Sequence, residues 1–179
     1  MPKAKSSGIH TWTEGEIEQF ERHHPAGTRA RLALALLLCT AQRTGDVVRM
    51  GRQHIRDGAI AVRQNKTGAT LLIPIAEQLR KELPATTLTF LVTEWGKPFT
   101  PGGFGNWFRQ RCREAGLPHC SAHGLRKAAC RRLAEAGCSA HEIAAISGHA
   151  SLREVERYTK AADQIRLARR VMKRERDSG

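Results

Sequence analysis

Apolar and polar positions alternate along the chain in blocks whose periods predict an α+β domain, mostly helical with a small antiparallel sheet. Thr13 and Glu16 have capping-box spacing, and Ile17 and Phe20 extend an apolar stripe behind them, so a helix is expected until Pro25 and Gly27 stop it. Arg29 to Thr40 is apolar on nearly every face, the mark of a buried helix. Its far end runs into Arg43, Thr44, Gly45 and Asp46, where Asp46 is expected to cap a short helix through Val47, Val48 and Met50. Ala59 to Arg63 and Thr70 to Ile75 are β-branched runs separated by Asn65, Lys66, Thr67 and Gly68, a hairpin turn that lifts Lys66 to an exposed tip. A third strand is expected at Leu88 to Val92, after a short helix from Glu77 to Leu83 that Pro84 ends.

Glu94 to Gly103 reads as loop, with Pro98, Pro101 and paired glycines. Helical period returns at Phe104, Phe108 and Cys112, and Gly116 with Pro118 breaks it. Four further helices are predicted, over 122–136, 139–146, 152–158 and 163–174, with Gly137 and Gly148 as punctuation. No repeat is present. The expected organisation is a flexible lead over 1–11, one domain over 12–160 and a basic helical tail over 161–179.

Charge narrows the function. Thirty Lys and Arg against seventeen Asp and Glu leave +13, which favours polyanions through counterion release. Nucleic acid is the first partner to consider. A membrane is disfavoured, since the longest apolar run, Leu32 to Cys39, falls far short of the roughly 18 residues of a spanning helix. No apolar stretch follows the early lysines as in a secretory signal, so a cytoplasmic protein is expected. Five cysteines without a signal read as thiols rather than a disulfide framework. Cys120 to His123 and Cys138 to His141 echo each other, yet no closely spaced cysteine pair exists and both sit at predicted helix starts. No metal site is expected.

Cleaving a phosphodiester requires cationic donors on the non-bridging oxygens, an in-line nucleophile and an acid for the departing oxygen. Arg43 and Arg126 suit the first task, because a guanidinium binds phosphate through paired hydrogen bonds and stays charged. His123 and Arg126, three apart at a helix start, share a face, and a histidine there can trade a proton near neutrality. His149 follows Gly148 at a turn, and Lys66 can reach out as a proton donor. Tyr158 is the single tyrosine. Ionising a phenol at pH 7 costs about 4 kcal/mol unaided, a cost that neighbouring cations reduce. The sequence has neither a Walker-type phosphate loop nor a carboxylate cluster for two metal ions, so no cofactor is expected.

Taken in order, these residues resemble the catalytic domain of the tyrosine recombinases, the phage-type integrases. Thr40 to Asp46 is similar to the family's first-arginine motif with its acidic partner, Lys66 to the hairpin lysine, and His123 to Arg126 to the His-x-x-Arg box. Ser147 to His149 resembles the second-histidine motif and Tyr158 the nucleophile. The resemblance implies the fold of a DNA breaking and rejoining enzyme, attack by Tyr158 and a 3′-phosphotyrosyl intermediate formed without metal or ATP. Lys66 would protonate the leaving oxygen and His123 assist proton transfer. Arg43, Arg126 and His149 would bind phosphate, Asp46 would support Arg43 and the local backbone, and tetramers would assemble on DNA. Ala41 stands where the family often has glycine, and Ser147 where leucine is frequent, both read as packing variations. The family's N-terminal DNA-clamping domain is not found in this sequence. Two rivals stay open. Ser139 to Tyr158 can be read as the helix-turn-helix of a regulator without catalysis, and a type IB topoisomerase-like relaxer shares the chemistry.

Overall fold

The structure, a computed structural model, describes residues 8–178 and divides into two compact units, residues 1–129 and 130–179. In the first unit α1 (Glu14–His23) begins with the expected capping box: Thr13 accepts from the Glu16 backbone and Glu16 returns the bond. Ile17 and Phe20 face inward. The segment ahead of α1 is held rather than loose, since the Ile9 carbonyl accepts from Lys127 at 2.7 Å and His10 bonds to Glu16. Residues 1–7 of the expected lead lie outside the described residues.

Helix α2 (Arg29–Thr40) buries residues on all faces, as its composition requires. Around it pack α3 (Thr44–Val47), α4 (Glu77–Arg80) and α5 (Pro101–Glu114). Helix α5 starts earlier than expected. Thr100 caps it by accepting from Gly103, and Pro101 takes the first turn, where its missing N–H costs nothing. Trp12, Phe20, Phe104 and Phe108 fill the unit's centre, with ring centroids 5.4 to 6.2 Å apart along the series.

The sheet has the order β1 (Ile55–Arg56), β2 (Ala59–Arg63), β3 (Thr70–Pro74), antiparallel throughout. Its third strand is β1, not Leu88 to Val92. Asp57 and Gly58 both take positive φ, 47° and 77°, the geometry of a tight two-residue hairpin turn. Leu88 to Val92 instead runs as irregular chain, with Phe90 N–H bonded to the Met50 carbonyl and Val92 in a lone bridge to Pro98.

The boundary between units falls within α6 (Ala122–Glu135). In the second unit the later part of α6, α7 (Ala140–Ser147) and α8 (Leu152–Asp177) surround a small core of Cys130, Ala134, Ile143 and Val155. Ser139 and Glu142 close a capping box on α7, and Gly148 ends it with φ 70°. Helix α8 is one continuous rod of 26 residues, where two helices were expected. No glycine or proline interrupts Leu152 to Asp177, and Ala161 and Ala162 favour continuation. Among the described residues no helix is long and apolar enough to cross a membrane.

Candidate active site

Where α2 ends, Ala41 adopts the left-handed conformation (φ 53°) and is wholly buried. A non-glycine residue pays about 1–2 kcal/mol for that geometry. The turn aims the Ala41 carbonyl at Arg126, whose Nη1 donates to it at 2.8 Å, and sets Arg43 two residues on as the N-cap of α3. Arg126, 3% exposed, is thus anchored on the α2–α3 turn. Arg43 makes no side-chain cap bond, and one of its guanidinium nitrogens is buried without a hydrogen-bond partner among the described residues. An unpaired cationic donor in the interior is costly unless an acceptor arrives.

Asp46 lies inside α3 rather than at its cap, a correction to the sequence reading. Its Oδ1 accepts from Arg49 at 2.6 Å and from the Asn65 backbone at 3.0 Å. That second bond ties the α2–α3 turn to the β2–β3 hairpin. A second tie runs through Gln64, whose Nε2 donates to Gln42 Oε1 at 2.7 Å with both residues buried. Lys66 therefore rides, exposed, on a turn whose base is fixed against Arg43's own turn. Sequence reasoning passed over Gln42 and Gln64. The signal was present: Ile60, Val62 and Gln64 alternate onto the buried side, and an amide in such a position needs a partner.

His123 stands on the first turn of α6. Partial burial pushes its imidazole below the ordinary histidine value, and the positive charges of Arg126, Lys127, Arg43 and Lys66 push in the same direction. Arg43, Lys66, His123 and Arg126, drawn from three separate elements, are thus brought into one electrostatic neighbourhood. Gly124 between them leaves no room for a side chain: a Cβ there would meet the His10 carbonyl at 2.2 Å and the Trp12 ring at 2.9 Å. Trp12 in turn donates its indole N–H to the Ser121 carbonyl at 2.8 Å, fixing the entry to α6.

His149 and Tyr158 belong to the second unit. His149 Nδ1 is 2.6 Å from the Ser147 hydroxyl, and Ser147 is fully buried. Ser147 is therefore more than a packing variation: it bonds the imidazole through Nδ1 and so orients it. Tyr158 packs, partly buried, against the unit's core. The Arg157 guanidinium lies over its ring at 5.1 Å and approaches the phenol oxygen at 3.4 Å.

Cys120 and His123 do not share a site, since Cys120 gathers with His10, Glu16 and His119 while His123 lies in the field of Arg126, Lys127, Arg43 and Lys66. The described cysteines form no disulfide.

The phage integrase family's model matches residues 13–165. The shufflon-specific DNA recombinase of Escherichia coli is 28% identical over 162 residues, covering 88% of this chain and 42% of that protein. XerA recombinase superimposes with a TM-score of 0.76 at 19% identity, covering 94% of this chain and 66% of the other, a likeness of fold. A lambda integrase tetramer bound to a Holliday junction gives a TM-score of 0.68 at 26% identity, covering 84% and 50%. The chain spans about two fifths of the length of the Escherichia coli relative. With the family match running through every element from α1 into α8, the chain belongs to the phage integrase family, the tyrosine recombinases.

Proposed function

We propose that this chain carries the cutting and rejoining centre of a site-specific DNA recombinase, acting on double-stranded DNA through a covalent 3′-phosphotyrosyl intermediate. In this reading Tyr158 Oη attacks the scissile phosphorus while the bond to the 5′ oxygen breaks. His123, held neutral at pH 7 by its surroundings, takes the phenol proton. Lys66 delivers a proton to the departing 5′ oxygen, so that charge and protons balance. Arg43 and Arg126 bind the non-bridging oxygens with His149, whose ring Ser147 orients. Their charge is most valuable in the transition state, where the phosphoryl oxygens carry the most negative charge. Asp46 supports the backbone that carries Arg43 and Lys66.

One ester replaces another in this step. A 5′-hydroxyl from a second strand then reverses it with no nucleotide cofactor, and the arginines supply the charge a metal would otherwise bring.

The observation that carries the reading is the gathering of Arg43, Lys66 and Arg126 around His123, with one Arg43 guanidinium nitrogen buried and without a hydrogen-bond partner among the described residues. The +13 charge supports DNA as its source, and the Holliday-junction assembly of lambda integrase supports tetramers on DNA as the working form. The cytoplasm is the expected compartment.

A nicked suicide duplex, incubated with the protein while magnesium is withheld, should trap a protein–DNA adduct that peptide mapping assigns to Tyr158. Tyr158→Phe should bind the duplex and trap nothing. Adduct formation by the Phe variant at the parental rate, or binding by the parent with no adduct under any condition, would overturn the proposal. The latter outcome would favour a regulator.

A further inference from the structure

Away from the cationic neighbourhood, the first unit gathers four side chains of metal-binding type. His10, Glu16, His119 and Cys120 each offer one ligand atom, and these atoms all lie within 4.8 Å of one another. They come from three stretches of chain: the segment ahead of α1, the first turn of α1, and the connection between α5 and α6. Glu16 is the hub. Its carboxylate meets His10 Nε2 at 2.7 Å and His119 Nε2 at 2.6 Å, and the Cys120 sulfur lies within 4.8 Å of the ligand atoms of all three. The two imidazoles face each other edge on, with centroids 5.0 Å apart.

We propose that His10, Glu16, His119 and Cys120 form a structural zinc site. Two imidazole nitrogens, a carboxylate oxygen and a thiolate sulfur are all ligands zinc favours, and four of them complete its tetrahedron. Sulfur and nitrogen donors disfavour magnesium and calcium, which seek oxygen. The present separations are those of hydrogen bonds, whereas the edges of a zinc tetrahedron are about 3.3–3.6 Å at ordinary zinc–ligand lengths. Binding therefore asks the imidazoles to swing outward by about 1 Å while zinc replaces the hydrogen atoms between the groups. The histidines have that freedom, with side chains 39% and 51% exposed, while Cys120 is buried and Glu16 is partly buried beneath them. The thiol proton leaves to solvent as the sulfur coordinates.

The ion would join Glu16 to His119, 103 positions on in the chain, and pin the connection immediately ahead of α6. That connection leads into His123 and Arg126, so a metal here would stiffen the support of the phosphate-binding box without touching phosphate. Sequence spacing concealed the site because its ligands adjoin only in the fold. His23, His24 and Glu114 form a second group within ligand reach. They are already engaged: His24 Nε2 bonds to the Arg111 carbonyl and Glu114 pairs with the Arg111 guanidinium.

The untagged chain, cleared of metal and then loaded with zinc, should retain a single ion through gel filtration, measured by elemental mass spectrometry. Cobalt(II), used as an optical probe, should give tetrahedral bands together with a thiolate-to-metal charge-transfer band. Cys120→Ser should lose that band, and His10→Ala should weaken cobalt binding by about 100-fold or more. His24→Ala should leave both readouts unchanged. No retained zinc, cobalt bands without the sulfur transition, or loss in His24→Ala in place of His10→Ala would overturn the site. His10 is partly exposed, so its variant tests the proposal even if Cys120→Ser fails to fold. No DNA enters the measurement, which therefore stands or falls separately from the transesterification reading.

Discussion

Ala41 shows how one residue can set a site without taking part in its chemistry. Its left-handed backbone delivers a carbonyl to Arg126 and releases the chain toward Arg43. Glycine would relieve the strain but lose the buried methyl and gain freedom when unfolded, so Ala41→Gly should stay within about 1 kcal/mol of the parent. Ala41→Val adds a β-branch in a conformation that resists it and overfills a sealed space, and should cost about 2 kcal/mol or more in urea melts. His123 carries a pH signature at the same scale. Its folded value lies below the unfolded 6.5, so between the two the unfolded chain binds the extra proton. The stability linked to this ring is therefore complete above pH 6.5 and declines as pH falls, levelling off below the folded value. Urea melts at pH 7.5 and 5 should show a larger loss for the parent than for His123→Gln.

At the scale of elements, the hairpin is the part whose placement depends on a few specific contacts. Its tip bears Lys66, and its base is tied to the α2–α3 turn by Asp46 and by the Gln42–Gln64 pair. Removing either glutamine alone leaves a buried amide short of a partner, so Gln42→Ala and Gln64→Ala should each lose about 1–3 kcal/mol. A double-mutant cycle should return a coupling of at least about 0.5 kcal/mol, measured by denaturant titration. These ties also explain what the sequence could and could not reveal. Arg43, Lys66, His123, Arg126, His149 and Tyr158 stood out as candidates because their order and spacing resemble a family's pattern. The capping boxes of α1 and α7 and the buried character of α2 were visible because local rules write them directly. The third strand was misplaced because the Asp57 and Gly58 turn was overlooked in favour of an apolar run. The break expected between 158 and 163 is absent because the run of helix formers through Ala161 and Ala162 is uninterrupted by glycine or proline. Side-chain pairs such as Ser147 with His149 and Glu16 with His119 were beyond reach, since they depend on rotamers or on chain separated by about a hundred residues.

For the molecule as a whole, the excess of thirty basic over seventeen acidic residues sets the long-range field, and the local pairs only shape it. Surface ion pairs such as Arg22 with Glu18 contribute little to stability, since both partners are well exposed. Stability rests instead on the aromatic centre of the first unit and the small aliphatic core of the second. The same burial sorts the thiols. Cys112, Cys120 and Cys130 are sealed off, while Cys39 and Cys138 are partly open. The protein thereby contains its own gauge of opening. Under a brief pulse of alkylating reagent, intact mass should report labels confined to Cys39 and Cys138 in the native state, with all five cysteines modified in denaturant. Because Cys112 lies in the first unit and Cys130 in the second, the order in which they become reactive would tell which unit breathes first, with no probe attached and no residue changed.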